Sequence, residues 1–267
     1  NVHLAGSLLL RDSGEIYNAL LVVAPDGRTW RYDKLYPWGW ERAYFRAGRG
    51  PVVAQTALGD LGLMLCWDCA HPALWRAYAG KIDLMLIASC PPDVSDPTFI
   101  FPSGERVTFD QLGPFFRRMR GGAARVFGQH LNRQAAWLGA PVVNTVGCGQ
   151  VLTGVPNARL SMLSMTPFAP MMLKHVRRAA QAYMTCAMTP GCKVIDAQGR
   201  TLAEHDQAEG EGFALAEVTL PDRRRQPIGP QPARPVSWFT YFSSDVALPL
   251  IVQQTYRRGR RLFQEKA

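Results

Sequence analysis

The sequence predicts an α/β fold, and three observations carry that reading. A turn signal, Pro25-Asp26-Gly27, separates two β-type runs. An almost wholly apolar run, Ile82 to Ala88, has the character of a strand covered on both faces. Two stretches, His71 to Ala79 and Ala123 to Leu138, repeat their apolar residues at helical spacing. In chain order, Val2 to Leu10 reads as a strand, and Tyr17 to Ala24 pairs with Thr29 to Leu35 across the Asp-Gly turn. Val52 to Ala57 and Gly62 to Cys66 follow around Gly59-Asp60. The helix from His71 has Pro72 near its start and Leu74, Trp75 and Tyr78 on one face. Cys90 to Pro114, rich in Pro, Asp and Ser, reads as an irregular excursion that walls a pocket.

The second helix carries Ala124, Phe127, Leu131, Ala135 and Leu138 on one side, and Pro141 to Val146 returns as a strand. Within Gln150 to Pro190, expected to form a lid or an oligomer contact, Met171 to Met184 suits a helix with Lys174, Arg177 and Arg178 outward. Cys192 to Asp196 and Phe213 to Val218 read as strands around Ala197-Gln198-Gly199. Pro221 to Pro235 is a Pro/Arg-rich linker, and Trp238 to Ala267, aromatic first and basic later, is a docking arm. The chain therefore divides into residues 1–220 and 221–267.

The 267 residues are 47% hydrophobic and 19% charged, which excludes a disordered chain. A chain this long can bury roughly three-quarters of its unfolded surface. No apolar run approaches the roughly 18 residues that span a bilayer. Asn1 to Ser7 lacks the pattern of a signal peptide, and the missing initiator Met leads to the expectation that the chain begins inside a longer protein. Six scattered cysteines argue against a disulfide scaffold and for a reducing, cytoplasmic setting, with Cys66, Cys90, Cys148 and Cys186 behaving as small hydrophobes. The net charge of +9 is spread over Arg117-Arg118, Arg177-Arg178, Arg223-Arg224-Arg225 and Arg257 to Arg261. No aromatic residues alternate with these arginines, so the reading is a solvated surface rather than a nucleic-acid platform.

Chemistry concentrates at Gly62 to Cys66, followed by Trp67-Asp68 and His71-Pro72. A cysteine at the end of a buried strand, just before a helix, occupies a nucleophile-elbow position, with backbone N–H groups near a developing oxyanion. A helix N-terminus there favours the thiolate. Upstream and downstream motifs appear in a fixed order: Tyr17-Asn18, Pro25-Asp26-Gly27, Tyr32-x-Lys34-Leu35, Glu41-x-x-x-Phe45-x-x-Gly48, and Gly62-x-x-x-Cys66-x-Asp68 with Pro72. Ile82-Asp83-Leu84 with Ala88-Ser89, Val142-Val143-Asn144-Thr145-Val146-Gly147 and Gly191-Cys192-x-Val194-Ile195-Asp196-x-x-Gly199 complete the series. The ordered set, over roughly Leu4 to Leu220, resembles the nitrilase superfamily of carbon–nitrogen hydrolases.

That resemblance implies a four-layer α-β-β-α sandwich, here N-terminally truncated, with residues 1–220 as the hydrolase domain. It implies hydrolysis of an amide, carbamoyl or nitrile C–N bond through a covalent thioester or thioimidate on Cys66. Lys34 matches the lysine that stabilises the tetrahedral intermediate, the Trp67 backbone N–H matches the second oxyanion donor, and Glu41 matches the glutamate that orients Lys34. No cofactor or metal is implied, and a homo-oligomer acting on a small amide or nitrile is. Asp68 after Cys66-Trp67 leans toward amidase chemistry, and Trp38, Trp40 and Trp67 suggest a roomy apolar pocket. The family's general base is an earlier Glu; Glu15 lies in a variable loop and does not match it, so the chain is expected to be feeble or inactive. The rival is a non-catalytic scaffold of the same fold. Cys66-Trp67-Asp68-Cys69 also reads as C-x-x-C, a redox pair or half a zinc site, although no second ligand pair occurs.

Overall fold

The computed structural model describes residues 2–94, 96–221, 226–227 and 229–264. Arg223-Arg224-Arg225 and the end of the arm at Ala267 lie outside the described residues. Strands β1 (Leu4–Asp12), β2 (Glu15–Val23) and β3 (Thr29–Asp33) form an antiparallel sheet, with Gly27 supplying the positive φ of the second turn. Next come β4 (Val53–Thr56), β5 (Gly59–Leu65), helix α1 (Pro72–Tyr78) and β6 (Leu84–Ser89). The first excursion forms β7 (Thr98–Ile100) and β8 (Arg106–Thr108), followed by α2 (Pro114–Arg117), α3 (Gly122–Phe127), α4 (Gln129–Leu138) and β9 (Val142–Val146). The second forms β10 (Gln150–Gly154), α5 (Ala158–Met165), an irregular 3-10 stretch over Pro170–Gln181 and β11 (Tyr183–Ala187). Then β12 (Lys193–Ile195), β13 (Thr201–Glu204), α6 (Trp238–Phe242), a π turn (Ser243–Ala247) and α7 (Leu248–Gln264) close the chain.

The six-stranded sheet runs β13-β12-β9-β6-β5-β4, with β5, β6 and β9 parallel at its centre. Its packing follows from the two-residue period of a strand. In β5, Leu61, Leu63 and Leu65 turn toward Leu20, Val22 and Tyr32 of the three-stranded sheet. Met64 turns the other way, toward Trp75, Tyr78 and Leu131 of α1 and α4. Helices thus cover one face of the large sheet and a second sheet covers the other, so β5 ends inside the protein with Cys66 at its tip. A third core, built on Phe99, Phe109, Met162, Met172 and Met184, lies under the four-stranded sheet β10-β11-β7-β8. The two excursions therefore join into one cap.

Four expectations about elements change. The helix over 123–138 breaks at Gly128, where an added Cβ would collide with the Ala124 carbonyl oxygen. Lys193 Nζ donates to the Gly128 carbonyl at 3.0 Å, beside the Leu131 N–H at 3.2 Å. The stretch from Met171 keeps Met172, His175 and Ala179 buried at helical spacing, but it winds as 3-10 and kinks at Arg178. From Tyr183 the burial alternates residue by residue, and that segment pairs as β11. Phe213 to Val218 forms no ladder among the described residues and leaves Phe213 and Leu215 exposed. Thr201–Glu204 takes its place beside β12, because the turn ending at Gly199 closes a much shorter loop. Cys90 is exposed rather than packed, since the strand before it stops at Ser89.

Candidate active site

Cys66 lies at the end of β5 with φ +49°, a strained left-handed conformation for a residue with a Cβ. The strain is held by Asp68. Its carboxylate accepts from the Leu65 N–H at 3.1 Å, the Tyr36 N–H at 2.8 Å and the Tyr32 hydroxyl at 2.6 Å. One buried side chain thereby ties the cysteine turn to the segment that carries Lys34. Burial pushes the Asp68 carboxyl up, while Lys34 and these donors oppose the shift. Asp68 does not line the cavity, so it positions backbone and reports nothing about the substrate.

Lys34 follows β3, its N–H donating to the Asn18 carbonyl at 2.9 Å and its own carbonyl accepting from Gly48 at 2.9 Å. Gly48 packs so closely on the Asp33 carbonyl that a Cβ there would overlap it. The fully buried Lys34 ammonium donates to Glu41 Oε2 at 2.5 Å, and the same oxygen accepts from the Trp38 N–H at 2.6 Å. Burial alone would discharge Lys34, but Glu41, Cys66 and Asp68 outweigh it and hold its pKa above the usual lysine range. Lys34, Glu41, Cys66 and Trp67 all line one cavity of about 390 Å³. Trp67 lies in a 3-10 turn over Cys66–Ala70, whose leading N–H groups have no partner within the turn.

The sequence expectation of a thiolate at Cys66 is corrected. Burial pushes the thiol up, Lys34 pulls it down and Glu41 pushes it up again, while the Cys90 backbone N–H also opposes the rise. The net shift is upward, because the short 3-10 turn offers no helix dipole large enough to offset desolvation. The Cys66 thiol is therefore held above the ordinary cysteine range. Its alkylation by iodoacetamide should rise with pH only beyond the range of an ordinary cysteine, as read by peptide mass across a pH series; a midpoint below that range would contradict this electrostatic picture. Cys69, the other half of C-x-x-C, is sealed in the core beside Trp75, and among the described residues no group of three or more His, Cys, Asp or Glu could hold a metal.

Two features had no local signal in the sequence. Asp245, on the π turn 178 residues away, accepts from Trp67 Nε1 at 3.0 Å and pairs with His71 Nε2 at 2.9 Å. His71 is itself stacked on Tyr36 at 3.6 Å. This joins the arm to the cysteine turn, and Tyr241 adds a hydrogen bond to the Ala70 carbonyl. Burial would raise the Asp245 carboxyl, but the His71 and Trp67 bonds prevail and lower it. Asp245→Ala should speed amide hydrogen exchange over 238–262 about tenfold or more, since charge-assisted bonds contribute about 1.5–3 kcal/mol each. Unchanged exchange would show that the arm is held elsewhere. The second feature is the share of the arm in the cavity wall; that the first excursion walls a pocket is what the sequence leads one to expect. Phe239 and Leu248 of the arm, Phe115 of α2, and Met165 and Phe168 of the second excursion line it, together with Phe99 of the first.

Residues 1–108, which hold Lys34, Glu41, Cys66, Trp67 and Asp68, match the model of the carbon–nitrogen hydrolase family. Over these residues the chain is similar to carbon–nitrogen hydrolases. Among curated relatives, a probable nitrilase of Schizosaccharomyces pombe is 32% identical over 81 residues, 30% of this chain and 30% of its own length. An aliphatic nitrilase of Sinorhizobium fredii is 33% identical over 82 residues, 30% of this chain and 27% of its own. A deaminated glutathione amidase of Synechocystis is 35% identical over 77 residues, 24% of this chain and 28% of its own. The chain thus aligns with about three-tenths of each of these relatives. The carbon–nitrogen hydrolase of Helicobacter pylori superposes with a TM-score of 0.55 at 19% identity, over 98% of this chain and 68% of that one. That superposition shows a nitrilase-type α/β fold.

Proposed function

We propose that the chain hydrolyses a non-peptide C–N bond, with Cys66 as nucleophile. The reading is carried by one observation: Cys66, Lys34 and Glu41 line the same cavity, with the ammonium already paired to the carboxylate. Cys66 Sγ attacks the amide carbon, and the developing oxyanion is met by the Lys34 ammonium and the Trp67 N–H. The C–N bond breaks, ammonia leaves with the thiol proton, and a thioester remains. Water then cleaves the thioester to a carboxylic acid and restores the thiol. A nitrile enters the same path through a thioimidate, with water added.

Among the described lining residues Glu41 is the one carboxylate, and Lys34 and the Trp38 N–H already engage it. Taking the proton from a thiol held above the ordinary cysteine range is therefore the difficult step, and the chain turns over slowly. In this reading residues 1–220 form the hydrolase domain and 221–267 an arm that completes its wall. Six free thiols suit a cytoplasmic setting, and the exposed Leu4, Leu8 and Leu9 of β1 offer a surface for self-association. The test is a panel of amides and nitriles assayed for ammonia, with intact-mass detection of an acyl adduct. An adduct on wild-type Cys66 that Cys66→Ala lacks is expected. Absence of both adduct and ammonia across the panel would favour a scaffold without catalysis.

A further inference from the structure

The same cavity carries information about which acyl group it accepts, and this inference rests on the hydrolase reading above. We propose that the site takes neutral, largely hydrocarbon amides or nitriles and rejects those whose acyl chain ends in a carboxylate. Three observations lead there. The first is charge. Lys34 and Glu41 are the charged side chains among the described lining residues, and they neutralise one another at 2.5 Å. Among the described lining residues no second cation waits to receive a distal anion. None of the described arginines lines the cavity.

The second observation is that the wall's hydroxyl groups are already engaged. Ser161 donates to the Pro156 carbonyl at 2.5 Å, Ser164 to the Ser161 carbonyl at 2.7 Å and Ser243 to the Thr240 carbonyl at 3.0 Å. Thr240 pairs with Ser237 at 3.0 Å, and Ser244 accepts from the Gly39 N–H and bonds to Asp245. A carboxylate entering this space would give up its water and find no unpaired cation among the described lining residues; beyond the Trp67 N–H, the uncommitted Trp40 Nε1 offers it only a neutral hydrogen bond, which leaves the burial of its charge costly.

The third observation is what the wall offers instead. Phe115 stacks on Phe168 at 4.1 Å and meets Phe239 edge-on at 5.0 Å, so three separate elements converge on one aromatic surface. Met119, Met165 and Met184 fill the space between, and their flexible thioethers adapt to chains of differing shape. Each methylene that such a wall desolvates improves binding about fourfold. Two of the curated relatives carry names that diverge on this point, an aliphatic nitrilase and a deaminated glutathione amidase, and the wall chemistry favours the aliphatic side.

The decisive probes are isocaproamide and succinamate, which share one shape and differ in ending in two methyl groups or two carboxylate oxygens. Calorimetry with Cys66→Ala, which binds without reacting, should show isocaproamide held at least about a hundredfold more tightly. Equal or tighter binding of succinamate would overturn the proposal. Should that variant fail to fold, protection of wild-type Cys66 from alkylation by each probe, read by peptide mass, makes the same comparison. Ammonia assays of the wild type separate the two readings. Selective binding of isocaproamide without ammonia release would overturn the hydrolase reading and support this selectivity; release from both amides at similar kcat/KM would support hydrolysis and overturn the selectivity.

Discussion

Replacing Lys34 with methionine is expected to slow acylation of Cys66 by about a hundred- to a thousandfold, the usual cost of removing one oxyanion donor. The expectation rests on placement. Lys34 is fully buried, its ammonium is held by Glu41 at 2.5 Å, and it shares a cavity with the thiol. Methionine keeps the length and apolar bulk, so packing against the cysteine turn is largely preserved. A second readout separates an electrostatic role from a structural one. Lys34 is the principal group opposing the upward shift of the Cys66 thiol. Its loss should therefore move the alkylation profile of Cys66 to still higher pH. A variant whose acylation falls while the thiol profile stays in place would mean that Lys34 acts through packing alone. A variant that acylates at the wild-type rate would remove Lys34 from the mechanism.

The parts of this site that the sequence reveals are those within one element or one hairpin. The Pro25-Asp26-Gly27 turn, the strand ahead of Cys66 and the strand-end position of Cys66 are local patterns, and each folds as its pattern predicts. Lys34 and Glu41 are singled out only through the resemblance of an ordered set of motifs to a known family. Asp245 is different: nothing near it in the chain announces a partner for Trp67 and His71, and only the path of the arm brings them together. The cap was misread for a related reason. Its strands are three to five residues long, too short for periodicity to separate from loop, and β7 meets β11 across more than 80 residues of sequence. The thiol was misjudged because desolvation depends on everything packed around Cys66, whereas the sequence displays only its neighbours.

Asp68→Ala should produce the largest loss of stability of any single change in the cluster, about 3–5 kcal/mol. The carboxylate is fully buried and serves three donors: the Tyr32 hydroxyl and the N–H groups of Tyr36 and Leu65. Leaving a buried donor unpaired costs about 1–3 kcal/mol, and three that share one acceptor do not add fully. For a chain of this size the melting midpoint should drop by roughly 10 °C. Asp68→Asn keeps an acceptor oxygen and should lose less, with a pH dependence that identifies the charge. The wild-type carboxyl titrates above its usual range in the folded chain, because burial outweighs Lys34 and the hydrogen bonds. Its contribution to stability is therefore complete below the unfolded carboxylate pKa and declines as pH rises through the raised folded value. Asparagine does not titrate, so the gap between wild type and Asp68→Asn should narrow as pH increases across that interval. A gap that widens instead would mean that the buried carboxylate is held as an anion by Lys34 more strongly than burial opposes it.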